Sequence, residues 1–286
     1  MRSPLPALIT KPEESMGSLA VPADWLTPDW PAPPQVGAIF TTRSGGISVA
    51  PYDSMNLGDH VGDAPEAVTA NRQTLQDAAM RAVFLKQVHG CEVLTLRETS
   101  AQGMQADACV TTQRSLACTI MVADCLPVLL TTTGGHAVAA AHAGWRGLAG
   151  LNGRGILESF YASFEALPSV STAPNAINKI AWLGPCIGPS AFEVGAEVKA
   201  AFESSQPDTA RCFVPTAAGK YLADLAGLAR LRLQALGITD IYGNDSTSAW
   251  CTVSNPSRFF SHRRDAGKDG NGRGTTGRMA ACIWLN

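Results

Sequence analysis

The sequence predicts an α+β protein: a single-domain, layered α/β sandwich with mixed β-sheets flanked by helices. Three observations carry that expectation. Short apolar, β-branched runs outnumber helical stretches. They do not alternate strictly with helices, which argues against a repeating βαβ fold. Several are apolar at nearly every position, as strands buried on both faces are.

The elements follow in chain order. Eight of the 18 prolines fall in the first 34 residues, so residues 1–22 are expected to form an extended leader and residues 23–286 a single domain. Strands are expected at 36–42, 82–88, 91–96, 107–111, 117–123, 126–132, 136–142, 179–184, 238–242 and 279–285. Asp63-Ala64-Pro65-Glu66 reads as a helix cap with a glutamate three residues on, leading into a helix that ends near Met80. Weaker helical patterns cover 147–165 and 193–205. In 221–236, Leu222, Leu225, Ala226, Ala229, Leu233 and Leu236 recur at three- and four-residue spacing, and Gly237 supplies the stop. The polar stretches 168–178, 205–219 and 266–277 are expected as surface loops.

Composition removes several classes of function. The 286 residues are 45% hydrophobic, with 22 Lys+Arg against 24 Asp+Glu for a net charge of −2. Such a chain offers no broad basic footprint for nucleic acid. No apolar run approaches the ~18 residues of a membrane span, and the N-terminal stretch lacks the apolar core of a signal peptide. A cytoplasmic protein without membrane association, monomeric or weakly oligomeric, is expected. The eight cysteines, at 91, 109, 118, 125, 186, 212, 251 and 282, include no C-x-x-C pair, so neither a thiol–disulfide motif nor a zinc finger is supported.

One motif match is set aside. Gly272-Arg273-Gly274-Thr275-Thr276-Gly277 fits G-x-G-x-x-G in letters. A dinucleotide fingerprint must open a helix after a strand, whereas here a strand and the chain end follow.

The informative residues are three metal-capable side chains in similar settings. His89 ends an apolar run and precedes Gly90; Cys125 ends 119–124 and stands two residues before Pro127; His142 ends 137–141 and stands two residues before Gly144. Strand ends are where a layered fold gathers its functional groups. One thiolate and two imidazoles match the ligand set of a catalytic Zn²⁺ site with one coordination position open. Asp124 and Gln87 lie within two residues of a proposed ligand and suit its orientation, Asp124 also suiting proton transfer. Arg146 at a helix start, Arg43 in a glycine turn and Arg264 in a basic cluster suggest a phosphate or carboxylate substrate.

These residues lie in longer strings: Thr42-Arg43-Ser44-Gly45-Gly46, Pro51 to Gly58, Gln87-Val88-His89-Gly90, Ala123 to Val128, Ala141 to Gly147, Leu183 to Pro189, Phe192 to Gly195, Lys220 to Asp224 and Phe260 to Asp265. With them the chain closely resembles, from about residue 25 to its end, a bacterial family first named multicopper polyphenol oxidase or laccase-domain protein. That family is now described as zinc-dependent purine nucleoside phosphorylases. The resemblance implies a fold shared with a group of cysteine hydrolases and places zinc on His89, Cys125 and His142. Cys125, His142, Asp124 and Arg146 would be catalytic, and Arg43, Asn56, Gln87 and Arg264 substrate-binding. It implies a transferase that phosphorolyses adenosine, inosine, guanosine and methylthioadenosine, with adenosine deamination beside it, so purine nucleosides and inorganic phosphate are the expected partners. The leader and the stretch 266–274 look additional to the family pattern, and His262 is not counted as a ligand.

Two other chemistries compete. Cys125 with His142 as base would make an amide or ester hydrolase, suited to removing wrongly built cell-wall precursors. A copper-dependent polyphenol oxidoreductase is disfavoured, because a four-copper centre needs far more than the five histidines present, with no His-x-His pair. A single blue-copper site would use His₂Cys and an axial Met such as Met121, which no spacing favours.

Overall fold

The segment Leu116–Val122 (β5) shows how the layers arise. Ala117 and Met121 face one way, into a cluster with Leu75 and Ala78 of a helix; Cys118, Ile120 and Val122 face the other, against a second sheet. Period-two alternation is therefore present in space but invisible in letters, because both faces are buried and both must be apolar. The computed structural model describes residues 21–172, 178–265 and 275–286.

The first half of the chain runs β1 (Val36–Phe40), α1 (Pro65–Ala78), β2 (Arg81–Val83), β3 (Val93–Thr95), β4 (Ala108–Thr111), β5, β6 (Leu126–Thr132) and β7 (Val138–Ala143). Then follow α2 (Trp145–Ala149), α3 (Ile156–Glu165), α4 (Pro168–Ser171), β8 (Lys179–Leu183), β9 (Glu193–Val194) and α5 (Ala196–Glu203). The last third contains β10 (Phe213–Pro215), β11 (Tyr221–Ala223), α6 (Leu225–Ala235), β12 (Asp240–Gly243), α7 (His262–Asp265) and β13 (Met279–Leu285).

A four-stranded sheet in the order β1-β13-β5-β2 lies on a six-stranded sheet in the order β12-β8-β6-β7-β4-β3, and a small sheet β10-β11-β9 stands apart. Ile120, Ala281 and Ile283 of the first sheet meet Leu129, Ala140 and Trp182 of the second. The outer face of the six-stranded sheet, with Val128, Leu130 and Ala139, is covered by Phe160 and Phe164 of α3 and Leu228 of α6. Each such Leu, Ile or Phe contributes about 1.5–3 kcal/mol on burial. The result is the expected α+β sandwich of mixed sheets flanked by helices.

Several elements differ from the sequence expectation. The helix expected from Asp63 starts at Ala64, without a side-chain cap, because Asp63 Oδ2 is taken by Ser48 Oγ (2.6 Å) and Asn56 Nδ2 (2.9 Å). Pro65 at the first helical position needs no partner for an N–H. The expected helix over 221–236 begins at Leu225: Tyr221–Ala223 is a strand paired with both β9 and β10, and Asp224 caps the helix by accepting the Gly227 N–H at 2.9 Å. The expected 147–165 helix is two helices, split where Gly150, Asn152 and Gly153 take positive φ. The stretch 205–219 holds β10 and two short 3₁₀ helices, Pro207–Cys212 and Ala217–Gly219, rather than loop alone. The leader up to residue 20 and the stretch 266–274 lie outside the described residues.

Candidate metal centre

The chain crosses from one sheet to the other between β5 and β6, and Cys125 sits on that crossover. Asp124 before it has φ +89°, a backbone conformation that L residues adopt rarely. Its carboxylate holds the turn, accepting from Thr252 Oγ1 at 2.5 Å and from the Arg263 N–H at 2.6 Å. Asp124 therefore ties the crossover to the C-terminal region; neither His89 nor His142 is its partner in these bonds. His142 stands near the end of β7, opposite Pro127 of β6. His89 follows the short strand β2 on an extended segment and has φ +60°.

These three residues converge. One imidazole nitrogen from each histidine and the Cys125 Sγ all lie within 4.8 Å of one another. Cys125 Sγ is 3.7 Å from His89 Nε2, and the two imidazole rings meet edge to face at 4.7 Å between centroids. His142 is buried, Cys125 half-buried and His89 exposed, so the cluster opens to one side. Among the described residues no fourth His, Cys, Asp or Glu joins it. Two nitrogens and one sulfur form a donor set for a borderline-soft divalent metal.

A carboxylate that the sequence did not single out underlies the cluster. Asp107, fully buried just before β4, bonds His142 Nδ1 through Oδ1 at 2.8 Å and accepts the backbone N–H groups of Val88, His89 and Gly90 at 3.1, 2.9 and 2.7 Å. Burial pushes its carboxyl up, but the His142 bond and the Gly90 and Val88 N–H groups outweigh it and hold it below the usual range. Burial likewise opposes charge on Cys125, yet His142 and His89 bring its thiol down to about 6. His142 rises to about 9, because the charge on Cys125 and the Asp107 bond overcome its burial. A cysteine near neutrality beside two imidazoles is set up for coordination or for nucleophilic attack.

The cluster forms one wall of a cavity of about 360 Å³. Trp145, Ile187, Phe192 and Leu225 supply apolar and aromatic surface, and Gln87, Met121 and Asp124 line it as well. Gln87 is held by Met121, donating to its carbonyl and accepting its N–H, both at 2.8 Å. Among the described residues, Arg263 and Arg278 are the guanidinium groups that line this cavity, and the imidazoles of His60 and His262 line it too. The Arg278 guanidinium donates to the Thr276 carbonyl at 2.9 Å and the Gly277 carbonyl at 3.2 Å; burial lowers its affinity for its proton, while the charges of Cys125 and Asp124 raise it.

The structure does not bring Arg43, Arg146, Arg264 or Asn56 to this cavity. Arg43 donates to the Pro256 carbonyl (2.8 Å) and the Asp53 carbonyl (3.1 Å) and lines a separate shallow depression. Arg264 grips both Asp265 oxygens and the carbonyls of Thr252 and Phe259. Arg146 is exposed and stacks 4.5 Å over Trp145. Asn56 is fully buried and bridges Gly58, Asp63 and the Arg278 N–H. The polar atoms of Arg43, Arg264 and Asn56 are thus engaged by the fold, whereas Arg146 is turned to solvent over the Trp145 ring. Arg278 carries no run or spacing that marks it in the sequence; only its place in Thr275-Thr276-Gly277-Arg278, after the suspected insertion, could have drawn attention to it.

Comparison with known proteins agrees in fold and sequence. A Pseudomonas aeruginosa protein named a purine nucleoside phosphorylase is 45% identical over 263 residues, covering 91% of this chain and 98% of that one. The Escherichia coli purine nucleoside phosphorylase YfiH is 44% identical over the same share. A crystal structure of a Neisseria meningitidis protein superposes with a TM-score of 0.80 at 44% identity, covering 92% of this chain and 99% of that one. The family model described as multi-copper polyphenol oxidoreductase laccase matches residues 37–286, and the chain belongs to that family.

Proposed function

We propose that this chain is a zinc-dependent purine nucleoside phosphorylase acting on adenosine, inosine, guanosine and methylthioadenosine, with adenosine deamination as a companion activity. The observation that carries the reading is the three-donor cluster standing on the wall of a cavity that also presents two arginines and an aromatic surface. The donors suit zinc: a tetrahedral ion separates S from N by about 3.6 Å, and Cys125 Sγ lies 3.7 Å from His89 Nε2. Bound there, zinc would supply a Lewis-acid centre with a position open to substrate.

The chain's own residues account for the rest. Trp145, Phe192, Ile187 and Leu225 offer the flat apolar surface on which a purine is retained. Arg278 and Arg263 take the anion-holding role in place of Arg43, Arg146 and Arg264, because among the described residues theirs are the guanidinium groups that line the cavity, although Arg263 also donates to the Ala191 and Glu193 carbonyls. In phosphorolysis a phosphate oxygen bonds to ribose C1′ as the C1′–N bond breaks. The bond's electron pair goes to the purine, which leaves with a proton supplied by phosphate or solvent. Fixed cations beside the transferring groups stabilise that transition state. Asp124, bonded to Thr252 and the Arg263 backbone, positions the wall of the site.

The test is a nucleoside panel with and without inorganic phosphate on metal-quantified protein, with product chromatography. Ribose 1-phosphate and free base are expected. Ribose and base without phosphate dependence, or no turnover, would reject the phosphorylase reading, and inosine from adenosine reports deamination. A second reading has its own observation: Cys125, His142 and Asp107 also form a nucleophile–base–carboxylate series. Metal-free wild-type protein that cleaves amides or esters would favour that hydrolase.

A further inference from the structure

We propose that Asp107 is the positioning residue of the centre: one buried carboxylate that aims the His142 ring and pins the backbone carrying His89. The inference rests on the metal reading above, since it states what the two histidines are held for. It stands on the convergence of four donors on the two oxygens of this side chain.

His142 is gripped twice by the same residue. Its backbone N–H donates to the Asp107 carbonyl at 2.7 Å, and its Nδ1 lies 2.8 Å from Asp107 Oδ1. An ionised carboxylate only accepts, so the proton of that bond belongs to Nδ1, and Nε2, on the side facing Cys125 and His89, is the nitrogen that would take a metal. A carboxylate behind a ligating imidazole fixes both tautomer and ring direction.

His89 is reached through its backbone. Three consecutive N–H groups, from Val88 to Gly90, converge on Asp107. The middle residue has φ +60°, a conformation that costs a non-glycine residue about 1–2 kcal/mol. The N–H groups that this backbone turns inward need an acceptor, and Asp107, buried and anionic, supplies it. Asp107 is itself anchored, its N–H donating to the Glu92 carbonyl at 3.0 Å. A single residue at the head of β4 thus links β7, which carries His142, to the segment that carries His89.

The experiment compares the full-length wild type with Asp107→Asn and Asp107→Ala. Zinc affinity is read by competition with a chromophoric chelator, and ligand geometry from the visible absorption of the cobalt-loaded protein. Asparagine retains an oxygen for His142 but turns an amide NH₂ toward the Val88 and Gly90 N–H groups, so the fold survives while the positioning fails. Zinc affinity is expected to fall about 10- to 100-fold in Asp107→Asn, with altered cobalt bands. Lower thermal stability with zinc affinity within twofold of wild type and an unchanged cobalt spectrum would overturn the assignment and leave Asp107 a merely structural residue. A measurement on the wild type covers the case of variants that fail to fold: nitrogen NMR of the zinc-loaded protein should show His142 protonated at Nδ1 and metal-bound at Nε2, and the reverse would overturn the proposal. A wild type that takes up no zinc overturns the metal reading and this assignment together, whereas wild-type-like metal binding in Asp107→Asn overturns the assignment alone.

Discussion

Gly144 lies between the last residue of β7 and the first of α2, and substituting it with alanine probes the geometry of the centre without removing a ligand. A Cβ there would stand 2.8 Å from His89 Cδ2 and 3.0 Å from Cys125 Sγ. Its backbone, at φ −68° and ψ 155°, accepts alanine, so the cost arises at the two donors and not in the main chain. Ordinary carbon–carbon contact needs about 3.5–4.0 Å, so the His89 ring must retreat by roughly 1 Å. His89 is the exposed member of the cluster, and swinging it outward is the cheapest relief. Overpacking of this size costs about 1–3 kcal/mol, which corresponds to a 5- to 150-fold loss of metal affinity if it falls on the ligand. Chelator competition on Gly144→Ala measures the affinity, and thermal unfolding of the metal-free protein verifies the fold. Wild-type zinc affinity and turnover in a variant of normal stability would refute the reasoning.

Three further outcomes are expected. Iodoacetamide should alkylate Cys125 in metal-free protein at neutral pH and be blocked by stoichiometric zinc, while Cys118, Cys186 and Cys282, whose thiols burial pushes up, stay unmodified; peptide mass spectrometry reads the pattern, and equal labelling of Cys125 with zinc present would contradict coordination. Arg278→Ala should raise the KM for phosphate at least tenfold, more than Arg146→Ala does, because Arg278 lines the cavity and Arg146 does not; equal effects in steady-state kinetics would return the anion role to the exposed arginine. Asp265 is pushed up by its burial but brought below the usual carboxylate range by Arg264 and Thr276. Its contribution is therefore present above about pH 4 and lost as pH falls through the lowered value. Asp265→Asn should destabilise more at pH 7 than at pH 3 in denaturant titrations, and a reversed order would contradict the assignment.

What the sequence disclosed was set by physics that acts locally. The strands at 116–122, 126–132 and 138–143 are mostly apolar runs, and the three metal-capable side chains can be recognised because a breaker follows each one, although only Cys125 and His142 stand beside strand ends and His89 lies six residues beyond β2. Which sheet each strand joins is not legible, since Ile120 and Met121 are equally apolar yet face different layers. Asp107 shows no spacing relation to His89 or His142; its role exists only once β4 lies beside β7. The arginines cannot be told apart by sequence for a similar reason. Arg264 and Arg278 are alike in sequence, but the first spends its donors on Asp265 and nearby carbonyls, while the second donates to the Thr276 and Gly277 carbonyls and lines the cavity. The helical spacing of 221–236 includes Leu222 by coincidence of period, whereas pairing with β9 and β10 decides the state of that residue.

The most direct test of the central claim is zinc K-edge X-ray absorption on protein loaded with one equivalent of zinc. The account predicts one sulfur and two imidazole nitrogens around the ion, with a light solvent or substrate atom completing the shell, and loss of the sulfur contribution in Cys125→Ala. A shell without sulfur, or with a second sulfur or a third imidazole, would contradict it.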